Sequence, residues 1–291
     1  MLSNKPSILH PINERFMKVF DEFMNNDLKE KARANNVRQY IEGIVDTLLR
    51  NKIEEHMKPG EIYKNYSWKR KLDCLEQYYD KDITDKIRKV AEVGGAGSHF
   101  WDDVSQEALQ KIINIANHLI EDIFVKYFTS DEHKFGSENI YWYFSMLPLD
   151  NRIYILEHVY ETVKNENVVD RLSLAYVKNG EQEKGLHLIN EAFQNKIINE
   201  DLKHYLETKY GILEKNLAHV HDLNPNVDST NNALLVNGNM VVVGFPSSKN
   251  IFEAEKAYKS MKDMFDKDKA KYPEFMNMLL MLMSRDSRTY R

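Results

Sequence analysis

A single cysteine, Cys74, stands among 291 residues. A lone thiol excludes an internal disulfide and every zinc site built on several cysteines, and it fits a reducing compartment. Glycine (11) and proline (7) are also scarce, at roughly half their usual combined share. That scarcity excludes a turn-rich all-β protein and points to long helices. No run of about 18 apolar residues occurs, so no membrane contact through a spanning helix is expected. The opening stretch MLSNKPSILHPINERF has no continuous apolar core, so no secretory leader is expected and a cytoplasmic location is inferred. Basic charge is not in excess: 40 lysines and arginines face 45 aspartates and glutamates. Any contact with nucleic acid must therefore be local. Dinucleotide fingerprints, nucleophile elbows and Ser/His/Asp spacings are missing as well, and no cofactor is expected.

What the chain does have is helical periodicity. Phe16, Met17, Val19, Phe20, Phe23 and Met24 form one apolar face. Ala34, Val37, Ile41, Ile44, Val45, Leu48 and Leu49 recur three or four apart, the spacing of a helix with one buried side. Pro59-Gly60 signals a turn, and short helices are predicted over 71–79 and 83–93. The glycines of VGGAGSHF (93–100) predict the end of a helix and a bend. Ser105 is placed to cap a long helix reaching about residue 128. The polar stretch TSDEHKFGSEN (129–139) reads as a linker. Helical patterns resume at 140–147, 151–164, 167–178, 181–195 and 199–217. ALLV-NGN-MVVVGF (233–245) predicts a β-hairpin turning at Asn237-Gly238. Asn250 and Glu253 suggest a capping box for the next helix. Residues 273–283 (PEFMNMLLMLM) are apolar nearly all round and must be buried or sit in an interface.

Two stretches resemble known families. RLSLAYVKNGEQEKGLHLINEAF (171–193) resembles a tetratricopeptide-type helical hairpin, with Leu174, Ala175, Tyr176, Gly180, Ala192 and Phe193 in the motif's places. There is one such unit, whereas stable arrays need about three. Residues 30–128 resemble the HEPN-like helical domains, in the branch found beside restriction and phage-defence proteins. The likeness rests on ARANNVRQYIEGIVDTLL (32–49), KIRKVAEVGGAGSHF (86–100) and VSQEALQKIINIANHLIEDIFVKYF (104–128). It departs from the branch at Gly94-Gly95, where Gly-Asn is usual. The resemblance implies a short helical bundle that often forms a homodimer. Its catalytic members are metal-independent ribonucleases, in which a histidine moves a proton and an arginine stabilises the phosphorane. Arg88 and His99 match those residue types, but ten residues separate them where the catalytic motif has four to six.

Other constellations compete with bland readings. Arg152 and His158 have the ribonuclease spacing, outside the resembling region. His219 and His221 invite a metal, but i and i+2 do not share a helix face, and no third ligand follows; no metal site is expected. Lys58, Lys64, Lys69, Arg70 and Lys71 interleave with Tyr63, Tyr66 and Trp68, a pattern that holds single-stranded nucleic acid, RNA included. A solvated loop over the end of the bundle is the alternative. Gly244 followed by Ser247-Ser248-Lys249 lacks the second glycine of a phosphate loop.

These readings give a mainly α chain: a HEPN-like bundle over residues 1–130, and a helical C-terminal domain over 140–291 with a hairpin at 233–245. The leading functional expectation is a non-catalytic adaptor or scaffold in bacterial or phage defence, binding a protein partner through its C-terminal half. The alternatives are an endoribonuclease using Arg88 and His99, and a nucleotide or small-ligand sensor. The all-round apolar segment 273–283 supplies a second reason to expect a homodimer.

Overall fold

The computed structural model describes residues 8–96, 103–130, 138–223, 233–236, 239–242 and 248–285. The protein is mainly helical and divides into two compact units. One unit is discontinuous: Ile8–Lys126 together with Lys269–Arg291. The other contains Tyr127–Asp268. The sequence reading cut the chain once, between residues 130 and 140. The division instead falls at 126/127 and again at 268/269, because the last apolar helix is assigned to the N-terminal unit.

That unit contains α1 (Glu14–Met24), α2 (Glu30–Ile44), a π-helical turn (Val45–Leu49), α3 (Arg50–Glu54), α4 (Trp68–Tyr78) and α5 (Lys81–Ala96). It also holds most of α6 (Gln106–Thr129). Asn13 caps α1, its side chain accepting from the Arg15 N–H at 3.0 Å. Ser105 caps α6 through the Ala108 N–H at 3.1 Å. The apolar stripes read from the sequence turn inward: Ala34, Val37, Ile41 and Ile44 on α2, and Leu109, Ile112, Ala116, Leu119, Ile120 and Ile123 on α6 are all buried.

The helix predicted to stop in VGGAGSHF does end within it, at Ala96, and Gly97 to Phe100 lie outside the described residues; the role given to the first two glycines needs correction. Helix α5 continues through Gly94 and Gly95 to Ala96, and α2 packs against it. A β-carbon at Gly94 would lie 2.5 Å from Arg38 Cβ and 2.9 Å from the Ala34 carbonyl oxygen. Gly94 is thus a close-approach residue inside a helix, not a stop signal. Gly95 faces open space, with nothing closer than the Arg38 guanidinium at 3.8 Å. The two neighbours are expected to respond with opposite signs. Gly94→Ala gains about 1 kcal/mol of helix propensity but overpacks against backbone, at about 1–3 kcal/mol, for a net loss of stability. Gly95→Ala keeps only the gain, up to about 1 kcal/mol. Urea denaturation of both variants checks this; a destabilised Gly95→Ala together with a neutral Gly94→Ala would contradict the packing.

The last helix, α14 (Pro273–Met283), closes the same unit. The Ile12 N–H donates to the Leu282 carbonyl at 3.2 Å. Asn13 Nδ2 donates to the Arg285 carbonyl at 3.1 Å. Phe124 meets Phe275 edge to face at 5.9 Å between centroids. Lys52 pairs with Glu274 at 3.2 Å, and the π-helical turn packs on α14. Phe275, Met276 and Met278 to Met283 are each at most 2% exposed. The chain itself buries every apolar side chain of this helix after Pro273, leaving Pro273, Glu274 and Asn277 to reach solvent, so its apolarity no longer argues for a second copy.

The second unit contains α7 (Glu138–Phe144), α8 (Leu149–Thr162), α9 (Glu166–Lys178), α10 (Gln182–Gln194), α11 (Glu200–Leu223), α12 (Ile251–Ser260) and α13 (Lys262–Asp268). Helix α9 lies against α8, α10 and α11. Short strands β1 (Ala233–Val236) and β2 (Asn239–Val242) pair antiparallel, Val236 opposite Asn239; Asn237 and Gly238 lie outside the described residues. Asn250 caps α12 through the Phe252 and Glu253 N–H groups. Glu253 reaches back to the Lys249 N–H at 2.8 Å, one residue earlier than a capping box requires. Tyr143 and Tyr258 each meet Phe265 edge to face, and Tyr143 donates to Asp268 at 2.8 Å.

Candidate docking groove

The residues singled out in the sequence are largely held by their own unit. Arg88 on α5 is clamped by acids: Nη2 donates to Asp73 at 2.8 Å, Nη1 donates to Glu76, and Asp85 lies at 3.7 Å. Those carboxylates raise its affinity for its proton, the Glu76 hydrogen bond most strongly. His99 lies outside the described residues, so the pair is not assembled there. Arg152 and His158 do not meet at one surface. Arg152 is buried, and desolvation pushes its guanidinium down to about 10. His158 Nδ1 lies 2.8 Å from the Tyr154 carbonyl, and its ring lies against Tyr154 at 4.1 Å. The backbone of α11 stays helical through Leu223, while the side chains of His219, His221 and Asp222 lie outside the described residues. Among the described residues no group of three His, Cys, Asp or Glu side chains could hold a metal ion. Ser247 is also outside them; the Ser248 carbonyl accepts from the Leu149 N–H at 3.2 Å.

The basic and aromatic segment folds onto two acids. Lys71 is nearly buried, donates to Asp46 at 2.8 Å and sits 4.0 Å from the Tyr63 ring centroid. The Tyr63 hydroxyl donates to the same carboxylate at 2.5 Å. Arg70 stacks over Tyr66 at 4.0 Å and donates to Glu61 at 2.6 Å, and the Tyr66 hydroxyl shares that acid. These hydrogen bonds pull Glu61 down to about 2. Lys58, Lys64 and Lys69 remain exposed, and Trp68 is half-buried. One of the five cations, Lys71, therefore ties the segment to Asp46 of the π-helical turn, while Arg70 pairs within the segment itself, and the aromatic rings serve as their supports. Asp46 was the missing part of the sequence reading: it lies 25 residues from Lys71, and only folding brings it there.

A more open surface lies in the second unit, between α8, α9 and α10. The tetratricopeptide-like stretch forms two helices joined at Asn179-Gly180. Gly180 adopts φ +78°, a backbone region that glycine enters without penalty. The Glu181 N–H closes the turn on the Tyr176 carbonyl at 2.8 Å. A β-carbon already at Gly185 would be 3.1 Å from the Ser173 carbonyl, so this small residue lets α10 press on α9. Asn165 caps α9 through the Val168 N–H.

The resulting cleft encloses about 500 Å³. Its walls are Tyr160, Tyr176, Leu172 and Leu188; Glu157, Glu183 and Glu191 face it with Lys184 and His187. Tyr176 donates to Glu157 at 2.6 Å. Burial and that bond raise the phenol well above its ordinary value, so it stays a donor. Lys184 is paired with Glu181. The cleft therefore presents three carboxylates, two tyrosine rings and a leucine floor, with its one lysine already neutralised. That combination attracts cationic side chains by charge and by their contact with aromatic faces. No protein-family model, curated protein or solved structure matches this chain.

Proposed function

We propose that the chain is a non-catalytic adaptor: a HEPN-like helical bundle joined to a helical unit whose cleft between α8, α9 and α10 takes a basic, partly apolar segment of a protein partner. The acid-lined, tyrosine-walled cleft carries this reading. The state of Arg88 supports it over the ribonuclease alternative, since three carboxylates already neutralise the cation that a phosphorane would need. The setting beside restriction and phage-defence proteins follows from the resemblance of residues 30–128.

The test uses the full chain and a fluorescein-labelled arginine- and leucine-rich peptide. Anisotropy should report saturable binding. Glu157→Gln with Glu191→Gln should weaken it about tenfold, which is about 1.4 kcal/mol, with unchanged helicity. Equal affinity in the double variant, or no saturable binding by the wild type, would sink the groove reading. The same double change should flatten the salt dependence of the affinity, because fewer charges remain to be screened.

A further inference from the structure

The first unit has a cavity of its own, in the seam where α1 packs on α2. It encloses about 270 Å³. Gly43 shapes one side of it: a β-carbon there would lie 2.9 Å from Phe16 Cε1. The Phe16 ring therefore rests on bare backbone, and with Val19 it forms the apolar wall on the α1 side. On the other side α2 runs into the π-helical turn, which brings Asp46 and Thr47 to the cavity beside Glu42. Single π-helical turns inside α-helices recur at functional sites.

Several polar groups of this cavity have no partner within the protein. Tyr40 lines it and is 1% exposed. Its hydroxyl is buried and, among the described residues, has no hydrogen-bond partner. Phe16, Phe20 and Phe23 pack round the ring, with centroids 5.8, 6.0 and 5.3 Å away. Burial pushes the phenol well above its ordinary value, so it remains an O–H donor at neutral pH. A buried hydroxyl with no acceptor destabilises a fold and calls for an explanation. Arg15 lines the cavity from α1, and among the described residues no carboxylate pairs with it. Two acids line the same cavity without reaching that arginine. Glu42 accepts from Arg38 through Oε1 at 2.7 Å, and Asp46 accepts from Tyr63 and Lys71 through Oδ1. Among the described residues no hydrogen bond reaches the second oxygen of either. One cation and two half-used acids thus stand apart across a ligand-sized space.

We propose that this cavity binds a free α-amino acid with an apolar side chain. Its carboxylate meets the Arg15 fork and the Tyr40 hydroxyl, both of which donate to it. Its ammonium, with three donors, meets the unused oxygens of Glu42 and Asp46. Its side chain lies against Phe16 and Val19. A plain cation would leave Arg15 and Tyr40 unmet, and a plain anion would leave both acids unmet; a zwitterion answers both. The volume agrees, since pockets for drug-sized ligands run from roughly 300 to 1,000 Å³ and this one falls just below them. The site lies wholly in the first unit and stands whether or not the cleft of the second unit binds a peptide.

Calorimetric titration of the full chain with L-leucine, L-methionine and L-phenylalanine tests it. One saturable site is expected for at least one of the three. The matching amine without the carboxylate and the matching acid without the amine should each bind at least about tenfold more weakly; for phenylalanine these are phenethylamine and 3-phenylpropionate. Tyr40→Phe removes an oxygen that no other group of the protein uses. It should fold at least as well as the wild type, checked by circular dichroism and urea denaturation, and lose affinity about tenfold. Arg15→Gln, at an exposed position, should do the same. Lys18→Gln removes another exposed cation of α1, one that does not line the cavity, and should leave the affinity unchanged. Absence of saturable binding for all three amino acids overturns the proposal. So does undiminished affinity in folded Tyr40→Phe and Arg15→Gln. An amine or an acid that binds as tightly as its parent amino acid overturns it too, because the ligand would then be a simple cation or anion.

Discussion

Leu279→Asp is expected to unfold the discontinuous unit, and not to yield a helical protein of altered mass. Leu279 is 0% exposed, in the run Met278–Met283 where every residue is buried. Losing a fully buried leucine forfeits about 1.5–3 kcal/mol. A carboxylate placed there must be desolvated without a partner or take up a proton, at several kcal/mol more. The sum is a large part of the roughly 5–15 kcal/mol that a domain possesses. Urea denaturation followed by circular dichroism should show the transition of this unit lost or moved to very low urea. Met281→Leu, which conserves volume, should cost under about 1.5 kcal/mol. A Leu279→Asp protein with wild-type stability and a smaller mass by light scattering would instead make α14 an intersubunit surface, and the packing described above would be wrong.

Lys178→Met should be among the most stabilising single changes, and its benefit should fade as pH rises. In the folded chain burial pushes the lysine down to about 7; unfolded, it titrates near 10.4. A base whose folded value is depressed leaves the unfolded state binding more protons between those two values, so stability climbs with pH across that window. The penalty is complete below pH 7 and gone above roughly pH 10.5. A difference of about three units corresponds to about 4 kcal/mol. The variant should therefore exceed the wild type by about that amount near pH 6–7 and by much less at pH 10. Desolvation sets most of this penalty, and Arg152 on α8, Arg171 on α9 and Lys209 on α11 add to it. Chemical denaturation at several pH values measures the two curves, and a constant offset would refute the assignment.

Helices were legible because their signal is local. The stripe from Leu109 to Ile123 and the caps at Ser105 and Asn250 need only neighbours within a few positions. The glycine pair was misread because composition alone cannot distinguish a glycine that ends a helix from one that lets another helix approach. Gly94 is decided by Arg38 and Ala34, more than fifty positions away. Separation in sequence likewise hid Asp46 beneath the basic segment and Asp73 and Glu76 beside Arg88, which turned apparent binding residues into internal struts. The cleft was half visible: the hairpin at 171–193 was read, but Glu157 and Tyr160 arrive from the preceding helix. Lys178 gave no signal at all, since nothing in AYVKNG says that its lysine is buried.

The return of α14 to the first unit has a consequence for synthesis. Asn13 and Arg285 are bonded across 272 positions. When Lys126 leaves the ribosome, the π-helical turn and Phe124 of α6 still lack the apolar helix that packs against them. Residues 127–268 must be made first, which takes about 7–30 s at bacterial to eukaryotic elongation rates. During that interval the second unit can complete its own contacts, since Tyr127–Asp268 is a single run of chain. The nascent first unit meanwhile presents a bare hydrophobic face shaped for a methionine-rich helix. Chaperone capture is therefore expected to concentrate on the early half of the chain and to end only when the final segment emerges.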